Sequence, residues 1–438
     1  MSERARRAAA PRGTRDVLPA EARVRERVVG AARDAFARYG YGEIVTPTFE
    51  ETEVFVRGVG TSTDVVRNEM YTFEDRGGRS LTLRPEGTAP VVRAFVQHGM
   101  YKLPLPVKLW YLAPMFRYEA PQSGRYREHW QLGAEAIGSA DPLLDAEVIA
   151  LLDGILREVG VPGLELRVGS MGDAESRGPY RDLLVEYLER HRDALDEEAL
   201  ARMRDNPLRL FDSKDPAVEE VMRGAPTLLD HLSPAAREHR AAVLGALDRL
   251  GIAYEEDPTL VRGFDYYTLT VFEFTSDRLG AQSAVGGGGR YDGLVEALGG
   301  PPTPGIGFGA GVERIVLAIQ DEDGAETAAL DCYLAVPDEG LRAEGLALVE
   351  RLRASGLRCE WDLRGRSMKG MMRHAASLGA RRTVILGPRE HEAGVATVRD
   401  MESGEQRQVP LDGLAEALAP DESPRRGERG NDEEGFPT

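Results

Sequence analysis

The chain has 438 residues, which is long enough for two or three domains. Its 73 acidic residues outnumber its 55 basic residues, and the net charge is −18. Only two cysteines occur, Cys332 and Cys359, without metal-ligand spacing around them, so a disulfide framework and a zinc site are not expected. The basic N-terminus lacks a hydrophobic signal region and no apolar run has spanning length, so we expect a cytoplasmic protein that does not bind membranes.

The basic residues are almost all arginines, because lysine occurs only at Lys102, Lys108, Lys214 and Lys369. Strong acidity with scarce lysine is typical of proteins that stay soluble in high salt, where repulsion between like charges is screened. The composition therefore predicts a halophilic source, although GC-rich coding alone would also explain the arginine bias.

The first predicted elements are a helix and an interrupted strand. Over residues 21–40, apolar side chains recur at helical spacing and Gly40 is expected to end the helix. The stretch YGEIVTPTFEETEVF, residues 41–55, is expected to follow as a strand that Pro47 interrupts.

The next motif is LTLRPEGTAPVVRAF at residues 81–95, in which Glu86, Gly87 and Thr88 stand beside tightly turning backbone. A carboxylate and a hydroxyl are suited to holding the ammonium group of a small zwitterion. The alternative for RPEGT alone is a turn followed by the N-cap of a helix. The motif by itself does not decide between the two interpretations.

Residues 107–119 and 127–138 are predicted to form two strands around a loop, APQSGRY. Alternation at period two puts Arg117 and Glu119 on one face of the first strand, and Gln131, Gly133 and Glu135 on one face of the second. Leu132 and Ala134 then point the other way. Charged and amide groups on one face predict a polar pocket floor, while a solvated sheet face is the alternative.

Residues 172–258 change to helical, acid-rich sequence, which indicates an insertion rather than core sheet. The stretch LVRGFDYYTLTVFEF at 260–274 then supplies Arg262, which can hold an anion, and Tyr266 and Tyr267, which can read a polar ring edge. This stretch is far more specific than RPEGT.

A run of four glycines, residues 286–289, precedes Tyr291. Glycines let backbone approach a ligand closely, although such a run is more often a flexible loop. A helix from about Gly309 to Gln320 carries Arg314, and because GGPPTPGI before it is not strand-like, we reject a dinucleotide-binding fingerprint there.

The C-terminal part follows an acidic linker, DEDGAETAA, at residues 321–329. Strands predicted at 331–337, 359–363 and 381–387 alternate with helices near 339–355 and 367–378, the pattern of a small α/β domain. The tail at 421–438 has almost no apolar content and is expected to be disordered.

This C-terminal region is nearly neutral, with 14 acidic and 13 basic residues over 331–420. A near-neutral patch on an acidic protein is where an RNA backbone could dock. Basic side chains gather on and just before one helix: Arg364, Arg366, Lys369, Arg373 and His374. A solvated basic helix face is the alternative.

In this order, the motifs resemble those of histidyl-tRNA synthetases, class II aminoacyl-tRNA synthetases, over about residues 11–420. The helix and strand at 21–55 resemble class II motif 1, which builds a dimer interface. FRYEAPQSGRYREHWQLGAEAIG resembles motif 2, GFGAGVERIVLAI resembles motif 3, and LVRGFDYY resembles the histidine-specific element. With the charge balance, the resemblance suggests a halophilic archaeal type.

The resemblance implies an α+β catalytic domain, residues 1–327, built on an antiparallel sheet flanked by helices and carrying the helical insertion. A small α/β domain, residues 328–420, would bind the anticodon. The implied reaction joins histidine and ATP to form histidyl-adenylate and pyrophosphate, then transfers histidine to the 3′-terminal ribose of histidine tRNA. ATP would act as a substrate with Mg²⁺, no metal would be bound tightly by the protein, and the enzyme would be a homodimer.

The resemblance also assigns roles to individual residues. Arg117 and Arg262 would act on the α-phosphate from opposite sides and are the implied catalytic residues. Glu119, Arg125 and Arg314 would join Arg117 in binding ATP. The implied histidine-binding set is Glu86, Gly87, Thr88, Gln131, Glu135, Arg262, Tyr266, Tyr267 and Tyr291.

The implied tRNA contacts are Gln122 in the motif 2 loop and Arg364, Arg366, Lys369 and Arg373. Many family members have arginine where this chain has Ala120, so the usual contact with the extra 5′ nucleotide of histidine tRNA is in doubt. The rival function is a histidine-sensing regulatory subunit of ATP phosphoribosyltransferase, which is a catalytic-domain paralogue. Such paralogues typically lack the C-terminal domain, which is present here, so an enzyme is expected.

Overall fold

The computed structural model describes residues 8–60, 63, 65–118, 124–261, 263–280, 283–319 and 330–419. The predicted acidic linker and the predicted disordered tail lie outside these ranges. The chain divides into two compact units, Met1–Ala325 and Glu326–Thr438. A helix long and apolar enough to cross a bilayer is not found in the part of the chain that the structure describes.

The first unit contains an eight-stranded sheet, a three-stranded sheet and helices around them. Its strands are β1 (Gly42–Glu43), β2 (Phe49–Glu51), β3 (Thr72–Glu74), β4 (Ser80–Leu83), β5 (Val107–Phe116), β6 (Glu128–Ile137), β7 (Leu164–Ser170), β8 (Glu255–Glu256), β9 (Thr268–Ser276), β10 (Ala284–Arg290) and β11 (Gly305–Gly311). Its helices are α1 (Pro19–Arg38), α2 (Thr52–Val59), α3 (Thr88–Gln97), α4 (Pro142–Glu158), α5 (Ala174–Arg190), α6 (Glu197–Asp205), α7 (Pro216–Arg223), α8 (Pro234–Leu250), α9 (Leu294–Ala297) and α10 (Val312–Ile319).

The large sheet has the order β1-β5-β6-β11-β10-β9-β7-β8. The six central strands pair antiparallel, and only the short edge strands β1 and β8 pair parallel with their neighbours. One face packs against α1, α4, α8 and α10 in the main hydrophobic core. The opposite face is left for α3 and for the polar groups described below.

Helix α1 forms as its apolar spacing predicts, because Val28, Ala32 and Phe36 are buried on one side and Phe36 stacks on Trp110 of β5. Gly40, with φ of +76°, follows the helix in the left-handed region that glycine favours. The strand expected to run to residue 55 is shorter than predicted. Residues from Thr52 onward form α2, because Phe55 and Val59 lie one helical turn apart and are both buried.

The predicted insertion is helical, with a core of its own built from side chains such as Tyr180, Leu184, Leu210 and Met222. The end of the predicted range differs from this prediction, because Val243 and Leu247 of α8 pack into the main core against α4 and β8 pairs with β7 in the large sheet. The glycine run at 286–289 is also not a loop but lies in β10, between β9 and β11. Helix α10 begins at Val312 rather than Gly309, because residues 305–311 pair with β6 and β10.

The second unit is a five-stranded sheet of order β13-β12-β14-β15-β16 with helices packed against it. Its elements are β12 (Cys332–Ala335), α11 (Arg342–Ala354), β13 (Cys359–Trp361), α12 (Met368–Ser377), β14 (Arg382–Ile385), α13 (Pro388–Glu392), β15 (Val395–Asp400), β16 (Gln406–Pro410) and α14 (Leu414–Leu418). The three predicted strands and two predicted helices all occur, whereas the hairpin of β15 and β16 was not predicted.

Candidate active site

The floor of the candidate site is the face of β5 and β6 turned away from the main core. Cross-strand pairing sets Ala113 opposite Gln131, Tyr111 opposite Gly133 and Leu109 opposite Glu135. Leu132 and Ala134 point the other way and are buried in the main core. The predicted alternation is therefore confirmed for the second strand, whereas β5 ends at Phe116, before Arg117, and Glu119 lies outside the described residues.

Tyr111 occupies the centre of this floor and was missed at the sequence level. A Cβ atom on Gly133 would lie 2.1 Å from Tyr111 Cζ, and one on Gly87 would lie 2.3 Å from it. Both glycines are therefore required by the close approach of a ring. Tyr111 and Arg117 are an even number of positions apart, so alternation at period two puts them on the same face. The same pattern could therefore have identified Tyr111.

The RPEGT motif forms the turn and helix start of one interpretation, and its residues also line the cavity, where the proposed binding of an ammonium group stays a prediction. Helix α3 begins at Thr88, and the Glu86 carboxylate accepts hydrogen bonds from Thr88 N at 2.6 Å and Ala89 N at 2.9 Å. Glu86 also lines the cavity, and its burial raises its pKa above the ordinary value. A helix cap thus places a carboxylate in the wall of the site.

Glu135 lies fully buried behind this wall, between two hydroxyl donors. Thr88 Oγ1 donates to Oε1 at 2.8 Å, and Tyr291 Oη donates to Oε2 at 2.6 Å. Burial raises the pKa of Glu135 to about 8 although these hydrogen bonds oppose the shift. A Cβ on Gly307 would lie 1.8 Å from Oε2, so glycine is required beside the carboxyl group.

Tyr291 is held in place by the buried end of β10. The neighbouring Arg290 side chain is fully buried and forms an ion pair with Asp145 of α4, which also accepts from His239 Nε2 at 2.8 Å if that nitrogen carries the proton. Removing one partner of such a buried pair leaves an uncompensated charge. The pair therefore fixes the position from which Tyr291 reaches Glu135.

An aromatic wall stands beside this cluster. The ring centroids of Tyr266 and Tyr267 are 4.6 Å apart, and those of Tyr266 and Tyr291 are 5.9 Å apart. Phe264 continues the wall toward Arg117, whose guanidinium lies 5.6 Å from the Phe264 ring centroid. Burial keeps the phenol pKa values of Tyr266 and Tyr291 well above ordinary, so both stay neutral donors.

The other side of the cavity is cationic, with Arg117, Arg125, Lys214 and Arg314 on its wall. Arg117 Nε donates to Pro85 O at 2.8 Å, and Arg314 Nε donates to Ala284 O. Burial and then the charge of Arg117 lower the pKa of His129 to about 3, so its ring is neutral. Guanidinium groups fixed in this way are suited to phosphate.

The cavity has a volume of about 520 Å³. Of the predicted residues, it is lined by Glu86, Gly87, Thr88, Arg117, Arg125, Gln131, Tyr266, Tyr267 and Arg314, while Glu135 and Tyr291 lie behind the wall. Glu119, Gln122 and Arg262, together with Ala120, lie outside the described residues. Polar lining residues that sequence reasoning missed include Tyr111, Tyr126, His129, Asp212, Lys214, Glu273 and Glu313.

Carboxylates of Asp212 and Glu273 also face the cavity. Within the described ranges, no group of three or more His, Cys, Asp or Glu side chains could hold a metal ion.

The predicted tRNA contacts of the second unit surround the start of α12. Arg364, Lys369 and Arg373 are exposed, whereas Arg366 is partly buried and pairs with Asp362. Arg366 N also donates to Asp362 Oδ2 at 2.7 Å, and Ser367 caps the helix. Three of the four side chains are thus open to a ligand, and the fourth shapes the turn between them.

Comparisons with known proteins identify the family of this chain. The family profile described as "Histidyl-tRNA synthetase" matches residues 13–315, and "Anticodon binding domain" matches residues 331–420. Histidine–tRNA ligase of Rubrobacter xylanophilus is 51% identical over 420 residues, covering 93% of this chain and 99% of its own.

Among solved structures, apo histidyl-tRNA synthetase of S. aureus has a TM-score of 0.80 at 36% identity, covering 94% of this chain and all of its own. An ATP phosphoribosyltransferase regulatory subunit/histidyl-tRNA synthetase of Bacillus halodurans has a TM-score of 0.62 at 24% identity. The match covers 86% of this chain and 98% of the other. The second likeness shows the fold alone.

The antiparallel sheet flanked by helices is the fold of class II aminoacyl-tRNA synthetases. Within that class, the chain belongs to the histidyl-tRNA synthetase family, as the profile and the relatives show over almost its whole length. It is an enzyme, and its reaction is the ligation of histidine to tRNA.

Proposed function

We propose that the cavity binds histidine at its aromatic end and ATP at its cationic end, and that activation occurs where the two meet. The observation that carries this assignment is the hydrogen-bonded cluster of Thr88, Glu135 and Tyr291 behind the aromatic wall. A pocket with paired polar groups and an apolar wall suits imidazole, because an amino acid without ring nitrogens would leave those groups unpaired.

Each end of the amino acid has a proposed partner. Glu86 and Thr88 receive the ammonium group at the start of α3, and Gln131 lines the same cavity on the sheet floor. Glu135 and Tyr267 take the two ring nitrogens. Each Glu135 oxygen accepts one hydroxyl hydrogen bond, and a carboxyl oxygen can take part in a second.

The proposed phosphate site needs no side-chain nucleophile. The histidine carboxylate attacks the α-phosphorus, pyrophosphate leaves, and charge builds on phosphate oxygens that Arg117 is placed to stabilise. Arg125 and Arg314 would bind the β- and γ-phosphates. For Arg262 and Glu119 we propose the roles that the resemblance implies, which are action on the α-phosphate and binding of ATP.

We also propose that Mg²⁺ enters with the phosphates of ATP. Mg²⁺ is usually held by one or two carboxylates, substrate phosphates and water, and Asp212 and Glu273 put two carboxylates on the cavity wall. These two carboxylates are suited to binding a Mg²⁺ ion that is also bound by the phosphates of ATP.

The remaining assignments are proposals based on the composition of the chain, its exposed surface and the family resemblance. Residues 1–327 would be the catalytic domain and 328–420 the anticodon-binding domain, in a cytoplasmic homodimer. Supporting the dimer, Val45 is 85% exposed beside a groove of about 680 Å³ that Ile44, Pro47 and Met100 line. The halophilic archaeal type finds no support among relatives, which are bacterial, and tolerance of high salt stays a prediction.

Histidine binding measured by calorimetry tests the assignment of the ring site. Tyr267→Phe and Gln131→Leu each remove one polar group from the cavity and should weaken binding by about tenfold or more. Tyr254→Phe is the matched control, because Tyr254 lies outside the cavity lining. Affinities of both site variants within about twofold of the unmodified protein would contradict the assignment.

A further inference from the structure

The helical insertion contacts the active site through residues that belong to no recognised sequence motif. In the described residues, its body comprises α5, α6, α7 and the short 3₁₀ helices between them, packed on a separate apolar core. From this body, two arginines reach the segment Gly263–Tyr267. Gly263, Phe264, Tyr266 and Tyr267 of that segment all line the cavity.

The first arginine, Arg209, lies on the 3₁₀ helix Pro207–Asp212. Its Nη2 donates to Gly263 O at 2.9 Å and to Asp265 Oδ1 at 3.1 Å. Asn206 Nδ2 donates to the same carboxylate oxygen at 3.1 Å. The Arg209 side chain is only 14% exposed and that of Asp265 27% exposed, so water screens this pair less than a surface pair.

The second arginine, Arg177, lies in the first turns of α5. Its Nε donates to Met171 O at 2.9 Å, and its Nη2 donates to Tyr267 O. The carbonyl groups at both ends of the five-residue segment are thus bonded to arginines of the insertion. Between them, Asp265 N donates to Val59 O of α2 at 3.2 Å.

We propose that Arg177 and Arg209 are positioning residues for the reaction, through which the helical insertion holds the backbone of the segment Gly263–Tyr267 in place. The segment has no strand or helix of its own, so the orientation of its aromatic side chains depends on what holds its backbone. Charge-assisted hydrogen bonds from a packed scaffold hold backbone well, and small displacements of binding groups reduce rates strongly. The inference rests on the proposed function for its kinetic consequences.

The two arginines act at opposite ends of the segment, which predicts two different kinetic signatures. Tyr267 is assigned to the imidazole ring, so Arg177→Ala should raise the histidine KM by about tenfold or more. Gly263 follows Arg262, which is assigned to the α-phosphate, so Arg209→Ala should lower kcat by about 10- to 100-fold at unchanged histidine KM. Arg177→Lys and Arg209→Lys keep the charge and should recover part of each loss.

The test combines hydrogen–deuterium exchange with histidine-dependent ATP–pyrophosphate exchange on the full-length variants. Rates are expressed per active site after titration of adenylate formed in a single turnover. Matched controls are Arg192→Ala and Arg223→Ala, which remove arginines of exposed ion pairs on the same insertion. Controls should leave both measurements unchanged.

Faster deuterium uptake over residues 260–268 in both alanine variants, together with the two kinetic signatures, is the expected result. Unchanged uptake there would overturn the positioning role whatever the kinetics. Faster uptake with unchanged kinetics per site would instead overturn the proposed role of the segment in the reaction. A lower melting temperature with normal kinetics per site and normal uptake would show a merely structural role and would also overturn the proposal.

Discussion

The histidine KM should depend on pH in a way that reports the buried Glu135 carboxyl group. Burial raises the pKa of Glu135 to about 8, so the empty site carries a protonated carboxyl group at neutral pH. Free imidazole has a pKa of about 6.5. Between these two values, enzyme and ligand together bring one proton to the ring site, and we expect the complex to share it between Glu135 and the imidazole.

The magnitude follows from proton counting. Above about pH 8 the empty site has lost the proton that the complex needs, so the histidine KM should rise about tenfold per pH unit. Below about pH 6.5 the ligand brings an extra proton that binding must release, so the KM should rise about tenfold per pH unit in that direction too. The KM is therefore lowest between the two values.

Glu135→Gln isolates the group responsible. Its amide can donate a hydrogen bond to the ring as the protonated carboxyl group does, but it does not titrate. The variant should keep the acidic rise in KM, which belongs to the ligand, and lose the alkaline rise.

The assay is ATP–pyrophosphate exchange at varied histidine concentration, from about pH 5.5 to about pH 9, with kcat followed separately. A KM in the unmodified enzyme that continues to fall through pH 8 would show that Glu135 releases its proton on binding. That result, or an alkaline rise that persists in Glu135→Gln, would refute the reasoning.

Other predictions concern the phosphate site, the second unit and the dimer. Arg262→His should lower kcat for adenylate formation by about a hundredfold with little change in histidine KM, and a raised KM at normal kcat would contradict its role. Deleting residues from 328 onward should preserve histidine-dependent ATP–pyrophosphate exchange and abolish tRNA charging. The reason is that every described cavity residue precedes that point. A dimeric truncated protein that charges tRNA normally would contradict this prediction. Val45→Glu should yield a monomer by light scattering, since a carboxylate at this exposed apolar site disfavours burial; an unchanged dimer would show that the partner does not cover Val45.

Much of the fold was predictable where the hydrophobic period was unambiguous. The buried residues of α1 recur at helical spacing, and β5 and β6 alternate at period two through Leu132 and Ala134. The prediction was wrong at Thr52–Phe55, where β-branched residues favour a strand but the burial of Phe55 and Val59 on one side favours helix α2. The tertiary packing of this segment, rather than the local preference of its residues for a strand, therefore determines its secondary structure.

The candidate site was predictable where motif residues stand close together in the chain, as at Glu86 and Thr88. Residues that act across long separations and stand in no motif were not predictable. Arg177 bonds a carbonyl 90 positions away and Arg209 one 54 positions away, and neither arginine stands in a recognisable pattern. The elevated pKa of Glu135 likewise arises from complete burial beneath Tyr291 and Thr88, which depends on the folded packing of distant segments.

The most direct test of the central claim is amino-acid-dependent ATP–pyrophosphate exchange with each of the twenty amino acids in turn. Since the ring site is proposed to pair both imidazole nitrogens, histidine alone should support exchange in the presence of Mg²⁺. Comparable exchange with any other amino acid, or none with histidine, would contradict the account.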